Sequence, residues 1–275
     1  MTKTKVLIAV KTYPQPSAKY DELVCTAGFR EDGSWIRLYP VPFRKFDYIG
    51  QYKKWDWIEI DCEKRTQDPR PETYFPRDST VEPKILGHID TKDHWRERKP
   101  FALKKVYTDL SVLLEDAKKE DWNEVVSLAT FKPTEIVDFT WKEVEREWKK
   151  ERINEMTQLN LFTKGKDQKF EVIPKVPYEF RYTFKDCNGK SSTLMIEDWE
   201  VGALYWNCLR SSEGDEATAL DSVRQKYFDE FTTKNDLHFF LGTTLTHHAR
   251  KFTNPFVIIG TFHPRKKAQT ELSLK

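Results

Sequence analysis

The chain has 275 residues, enough for one large domain or two small ones. Lys and Arg number 46 against 44 Asp and Glu, a net charge of +2, so only a clustered positive surface could serve a nucleic-acid partner. An aromatic share of 14 % argues against disorder. Four cysteines are too few for a disulfide scaffold in a chain this long, and no apolar run approaches the roughly 20 residues that span a bilayer. The expectation is a cytoplasmic protein with no membrane partner.

Val6–Val10 is a short apolar run and reads as a buried strand. The Pro-rich "TYPQPS" follows as a loop. "ELVCTAGF" and "SWIRLYPV" are strand-like runs joined by Glu31-Asp32-Gly33, a hairpin signal. In the second run Trp35, Arg37 and Tyr39 share one face, and Ile36 and Leu38 the other. "WDWIEIDCEK" is a further strand, "RTQDPRPETYFPRDSTVEP" a polar loop and "KILGHID" another strand. Val106, Leu110, Leu113, Leu114 and Ala117 then fall on one helical stripe.

"EIVDFTWKEVE" returns to alternation, with Ile136, Asp138 and Thr140 on one side and Val137, Phe139 and Trp141 on the other. "EREWKKERINEMTQLNLF" reads as partly helical and "TKGKDQK" as a connection. Tyr178, Phe180, Tyr182 and Phe184 alternate with polar residues, Asn188-Gly189 supplies a turn and "STLMI" returns, which predicts a hairpin. Val201, Leu204, Tyr205, Cys208 and Leu209 form one helical stripe, and Leu220, Val223, Tyr227 and Phe231 another. "DLHFFLGTT" and "PFVIIGTFHP" close the chain as strands. Without regular βαβ alternation a doubly wound parallel sheet is not expected, and the class is β-rich α+β.

Several chemistries find no motif. There is no GxxxxGK[ST], no GxGxxG, no GxSxG and no CxxC. Gly242-Thr243-Thr244 could face a phosphate, but a plain strand-end turn is the simpler account. His247 and His248 are adjacent, and adjacent strand residues point to opposite faces, so they do not make a metal pair. No cofactor is expected. Glu59 and Asp61 share a strand face, with Asp68 and Glu72 in the loop beyond, an alternative acidic site that could hold Mg²⁺. The "DCEK" spacing is off register for a nuclease pattern, which favours solvated charges.

The remaining constellation is basic and aromatic. Lys11, Tyr13, Lys19 and Tyr20 precede Arg37, Tyr39 and Arg44, and then Tyr52, Lys53, Lys54 and Trp55. Single-stranded nucleic acid is held by cationic grooves with aromatic platforms, so Lys11, Tyr13, Lys19, Arg37, Tyr39, Arg44, Lys54 and Trp55 are the candidate contacts. The ordinary alternative puts Trp35 and Tyr39 against a core with Arg37 snorkelling at its edge. Trp199 and Trp206 lie on similar helical faces, more typical of a core than of a ligand box, and Asp198 suits a helix cap.

"KTYPQPSAKYDELVCTAGFREDGSWIRLYPVPFR", "QYKKWDWIEI" and "DPRPETY", with "IPKVPYEFRYTF", "IEDWEVGALY", "DLHFFLGTT" and "PFVIIGTFHP", resemble the dual OB-containing domain family of prokaryotic proteins. The resemblance covers most of the chain outside about 107–165 and brings no catalytic residues. It implies two small antiparallel β-barrels: an OB-like unit over 1–105, a helical and charged insert over 106–165 and an OB-like unit with extra helices over 166–275. OB barrels commonly bind oligonucleotides, though a fold does not fix a function. The leading expectation is a nucleic-acid-binding protein, for RNA or DNA, without catalysis of its own. The alternatives are a metal-dependent enzyme acting on nucleic acid or nucleotides, and a protein-interaction or regulatory subunit, for instance in antiviral defence.

Overall fold

The computed structural model describes residues 3–17, 21–47, 50–78, 81–151, 153–154, 172–250 and 252–266. Lys19, Tyr20, the "TKGKDQK" connection and much of the expected helical stretch before it lie outside the described residues. The class is β-rich α+β, as expected from the pattern.

The first eight strands are β1 (Thr4–Lys11), β2 (Gln15–Ser17), β3 (Asp21–Phe29), β4 (Trp35–Val41), β5 (Asp56–Ile60), β6 (Cys62–Glu63), β7 (Thr73–Pro76) and β8 (Lys84–His88). They form one sheet in the order β6-β7-β4-β3-β1-β5-β8, with β2 added to β3. β1 is central because Val6–Val10 is apolar on both faces. Val6 and Ile8 pack with Val24, Ile36, Leu38 and Ile58 on one side. Leu7, Ala9 and Val10 pack on the other with Phe240, Val257, Ile259 and Phe262 from the chain's end. Register shifts in the β1–β3, β3–β4 and β5–β8 pairs, with the extra residue on β1, β4 and β8, bend the strands and curl the sheet. The β3–β4 turn falls at Glu31-Asp32-Gly33 as expected, with Gly33 at φ +77°, where a side chain would be strained.

The later strands are β9 (Val106–Tyr107), β10 (Leu128–Phe131), β11 (Glu135–Glu143), β12 (Tyr178–Lys185), β13 (Ser191–Met195), β14 (His238–Thr243) and β15 (Phe256–Phe262). They make a four-stranded sheet β15-β14-β10-β9 and a three-stranded sheet β11-β12-β13. Helices Leu110–Ala117, Trp199–Ser211 and Glu216–Arg224 are capped by Asp109, Asp198 and Asp215, each accepting from backbone N–H groups of the first turn. The last runs on through a wider turn to Lys234. Among the described strands only β4–β7 and β9–β10 pair in parallel.

Three expectations need correction. Val106 belongs to β9, and the helix starts only at Leu110, because Asp109 caps it there. In β11 the register shifts between Ile136 and Asp138. A single bulged residue inverts the side assignment beyond it, so Val137 is 42 % exposed while Phe139 is fully buried. His247 and His248 sit on a short helix, Leu245–Ala249, and not on a strand. The four cysteines are unpaired. No helix among the described residues is long and apolar enough to cross a membrane.

Candidate functional site

The expected basic-aromatic residues do not share a surface. Arg37 is 2 % exposed. Its guanidinium donates to Thr73 Oγ1 at 3.0 Å, Ser127 Oγ at 2.9 Å, Ser127 O at 3.1 Å and Thr243 O at 3.4 Å. It does not snorkel; it fills an interior polar seam between β4, β10 and β14. Trp55 is 5 % exposed and packs against Arg98 and Phe262, so no face of it is open to a base. Its φ is 71°, and its ring lies in the core. Trp35 packs on Phe29 and Phe240. Arg44 donates to Glu22 at 2.6 Å, and Tyr39 is half-buried on β4. The Tyr13 hydroxyl donates to Pro174 O at 2.7 Å and accepts from Trp206 Nε1 at 2.9 Å.

The acidic candidates do not converge on a metal either. Asp61 pairs with Arg77, Glu59 with Lys3 and buried Asp68 with Arg70 at 2.5 Å. Glu72 accepts from Ser127 N at 3.0 Å and Ser127 Oγ at 2.7 Å. Among the described residues no group of three or more His, Cys, Asp or Glu is placed to hold a metal ion. Thr243 O accepts from Arg37 and Arg70, and Thr244 caps the helix after it, so this strand end serves structure.

Cations and rings do meet at one place, centred on Lys11. Lys11 ends β1, and its Nζ donates to Tyr52 O at 3.2 Å. It lies 4.2 Å from the Phe43 ring centroid, 5.1 Å from Trp199 and 5.9 Å from Tyr52. The rings brace one another, Phe43 edge-on to Tyr52 at 4.8 Å and to Trp199 at 5.5 Å. Tyr52 is anchored by a 2.7 Å hydrogen bond between its hydroxyl and that of Thr26. Burial, and next the charge of Lys54, pull the Lys11 amine down to about 8.

Lys54 itself faces inward. Its Nζ reaches Asp198 at 2.8 Å and Glu200 at 2.9 Å, so the helix that carries Trp199 is clamped beside Lys11. Burial and the Glu200 charge raise the Asp198 carboxyl to about 6 against the pull of Lys54. Across the mouth, His88 Nδ1 lies 2.7 Å from Asp56 Oδ1, a cross-strand pair of β5 and β8. Asp56 Oδ2 also accepts from Lys53 N at 2.7 Å. Lys11, Phe43, Tyr52, Lys53, His88 and Trp199 line an open groove of about 690 Å³.

Of the expected contacts, the groove is lined by Lys11, while Lys54 holds Asp198 and Glu200 of the adjacent helix. His88 and Asp56, 32 residues apart, carry no shared motif; only the pairing of "WDWIEI" with "KILGH" could have joined them. The helix cap at Asp198 was legible, whereas its partner Lys54 was not.

The fold and site thus define a β-rich α+β protein with a cation-aromatic groove where its first strand meets a C-terminal helix. Residues 109–275 match the family model described as a domain of unknown function, DUF8757. That is more than half of the chain, and the chain belongs to that family. Residues 2–104 match a second model, also described as a domain of unknown function, DUF8758. No curated protein and no solved structure matches.

Proposed function

We propose that the protein binds single-stranded nucleic acid in the Lys11 groove, as a binding module without a reaction of its own. The observation that carries this is a lysine amine set among three aromatic rings at the floor of an open groove. Lys53 is exposed at the rim, and the half-buried Trp199 ring is the platform on which a base would stack. The strand pattern supports the reading. The β1–β3–β4 meander is followed by β5 returning to the free edge of β1, an arrangement compatible with a partly open OB barrel. On this view residues 1–105 are one OB-like unit, and the β9–β15 region holds a second, more heavily decorated one.

The test is fluorescence anisotropy with labelled 12-nucleotide DNA and RNA strands at 50 and 200 mM salt. Binding that weakens with salt, and that weakens further in Trp199→Ala, supports the reading. No binding of either polymer at low salt sinks it.

A further inference from the structure

A second cavity, of about 180 Å³, lies on the other side of Asp198 and takes no part in the Lys11 groove. Its lining includes the rings of Tyr13, Trp148, Tyr178 and Phe180 and the carboxylates of Glu179 and Glu197. The rings are fixed. Tyr13 is held by its two hydrogen bonds and lies so close to Gly202 that a Cβ there would come within 2.5 Å of it. Trp148 donates to Ile173 O at 2.8 Å, and Tyr178 to Glu216 at 2.6 Å.

The two carboxylates differ. Glu179 accepts from Arg181 Nε at 2.7 Å. The Glu197 backbone is bound on both sides, to Tyr13 N and to Ile258 O. Its carboxylate has no hydrogen-bond or ion-pair partner among the described residues, although it is mostly shielded from water. A carboxylate left so in an aromatic cavity is a receptor for positive charge, since ring faces and the carboxylate attract the same cation.

We propose that this cavity binds a small organic ammonium ion, with Glu197 as its counter-ion and the surrounding rings as its cage. The volume suits a short alkylammonium and leaves no room for a polymer. The site is independent of the Lys11 groove and does not depend on what that groove binds.

The proton balance gives the site a signature. Burial, and next the charge of Glu179, push the Glu197 carboxyl up to about 7. The other charged or titratable groups around it are already engaged or are neutral near pH 7. Asp198 is bound to Lys54, and Lys175 donates to Glu145 O. Cys25, close enough to sense Glu197, is itself pushed up by burial. Tyr13 is pushed up by burial, and Tyr178 first by its hydrogen bond to Glu216. A cation entering the cavity therefore displaces the Glu197 proton, and affinity falls about tenfold per pH unit below that value.

The experiment is isothermal calorimetry of the whole chain with n-butylammonium and tetramethylammonium chlorides, and with n-butanol as the neutral control, between pH 5.5 and 8.5. The expected result is cation binding that strengthens up to about pH 7 and then levels off, with n-butanol at least tenfold weaker. Glu197→Gln keeps the side-chain shape, and it should remove the pH dependence between pH 6.5 and 8.5 and lower affinity at least tenfold. Trp148→Leu should weaken binding at every pH. Butanol binding as tightly as butylammonium, or Glu197→Gln binding like the parent, overturns the proposal. So does the absence of heat from both cations at pH 8.5 with the protein shown to be folded by circular dichroism.

Discussion

The Arg37 guanidinium donates to the Ser127 hydroxyl across 2.9 Å, and with this bond the first sheet is tied to the start of β10. Ser127 in turn donates to Glu72, while Arg70 bridges Asp68 to Thr243. Residues assigned from the sequence to a basic surface and to a separate acidic site are thus one interior network. Every acceptor of Arg37 named above is neutral, so the charge is held by hydrogen bonds and by the nearby carboxylates of Glu72 and Asp68.

Arg37→Met should therefore act on stability. It strands the buried oxygens of Ser127, Thr73 and Thr243, and a loss of about 3 kcal/mol is expected. In a chain of this size that lowers Tm by roughly 6–10 °C. Arg37→Lys should lose most of it too, because an ammonium cannot span the same fork of acceptors. Differential scanning calorimetry measures both. An unchanged Tm together with abolished oligonucleotide binding would restore Arg37 to the surface role.

Lys11 should be the most reactive lysine amine near neutrality. With its value near 8, roughly a fifth of it is neutral at pH 7.4, against about a thousandth for an ordinary lysine. Brief reductive methylation at pH 7, read by peptide mass spectrometry, should modify Lys11 ahead of exposed lysines such as Lys53. A bound oligonucleotide should protect it. Uniform labelling would show that the ring cage does not desolvate the amine.

If Lys11 and Lys53 each neutralise one phosphate, the slope of log affinity against log salt should be about −1.4 for a single strand. Lys53→Gln should reduce that slope by about 0.7 at little cost in stability, since Lys53 is exposed. Trp199→Ala should cost roughly tenfold in affinity with the slope unchanged, because stacking carries no counterion term. A slope that ignores Lys53→Gln places the phosphates elsewhere.

Much of the fold was legible because local chemistry determines it. The Asn188-Gly189 turn and the alternation of Tyr178 to Phe184 appear as the β12–β13 hairpin, with Gly189 at φ +74°. The Leu204 and Leu220 stripes are helices. Bulges were not legible, since one extra residue in β11 leaves no composition signal and yet exchanges Val137 for Phe139 in the core. Cation-aromatic density in the sequence points to the N-terminal third, where Lys11, Phe43 and Tyr52 meet, but period-2 logic cannot tell a face looking at water from one looking at a second sheet. Arg37, Trp35 and Trp55 all look at the C-terminal sheet, while the ring that completes the Lys11 cage, Trp199, arrives from 188 residues away along the chain.

The pH dependence of stability should conceal two opposed titrations. Glu197 is raised to about 7 when folded against roughly 4.3 unfolded. Between those values the native state holds the extra proton, so stability falls as pH rises. His263, packed on Phe231 at 4.0 Å, is pulled down by burial to about 4 against roughly 6.5 unfolded. In that window the unfolded state holds the extra proton, so stability falls as pH drops. The two windows overlap and the slopes oppose, so these two contributions largely cancel between pH 4.5 and 6.5. Urea unfolding at pH 4.5 and 8 separates them, because the difference between the two pH values cancels any constant packing loss in a variant. Glu197→Gln should gain stability at pH 8 relative to pH 4.5. His263→Gln should gain at pH 4.5 relative to pH 8, and the double variant should return to the shape of the parent profile. Parallel profiles for both single variants would mean that neither group is perturbed by its surroundings.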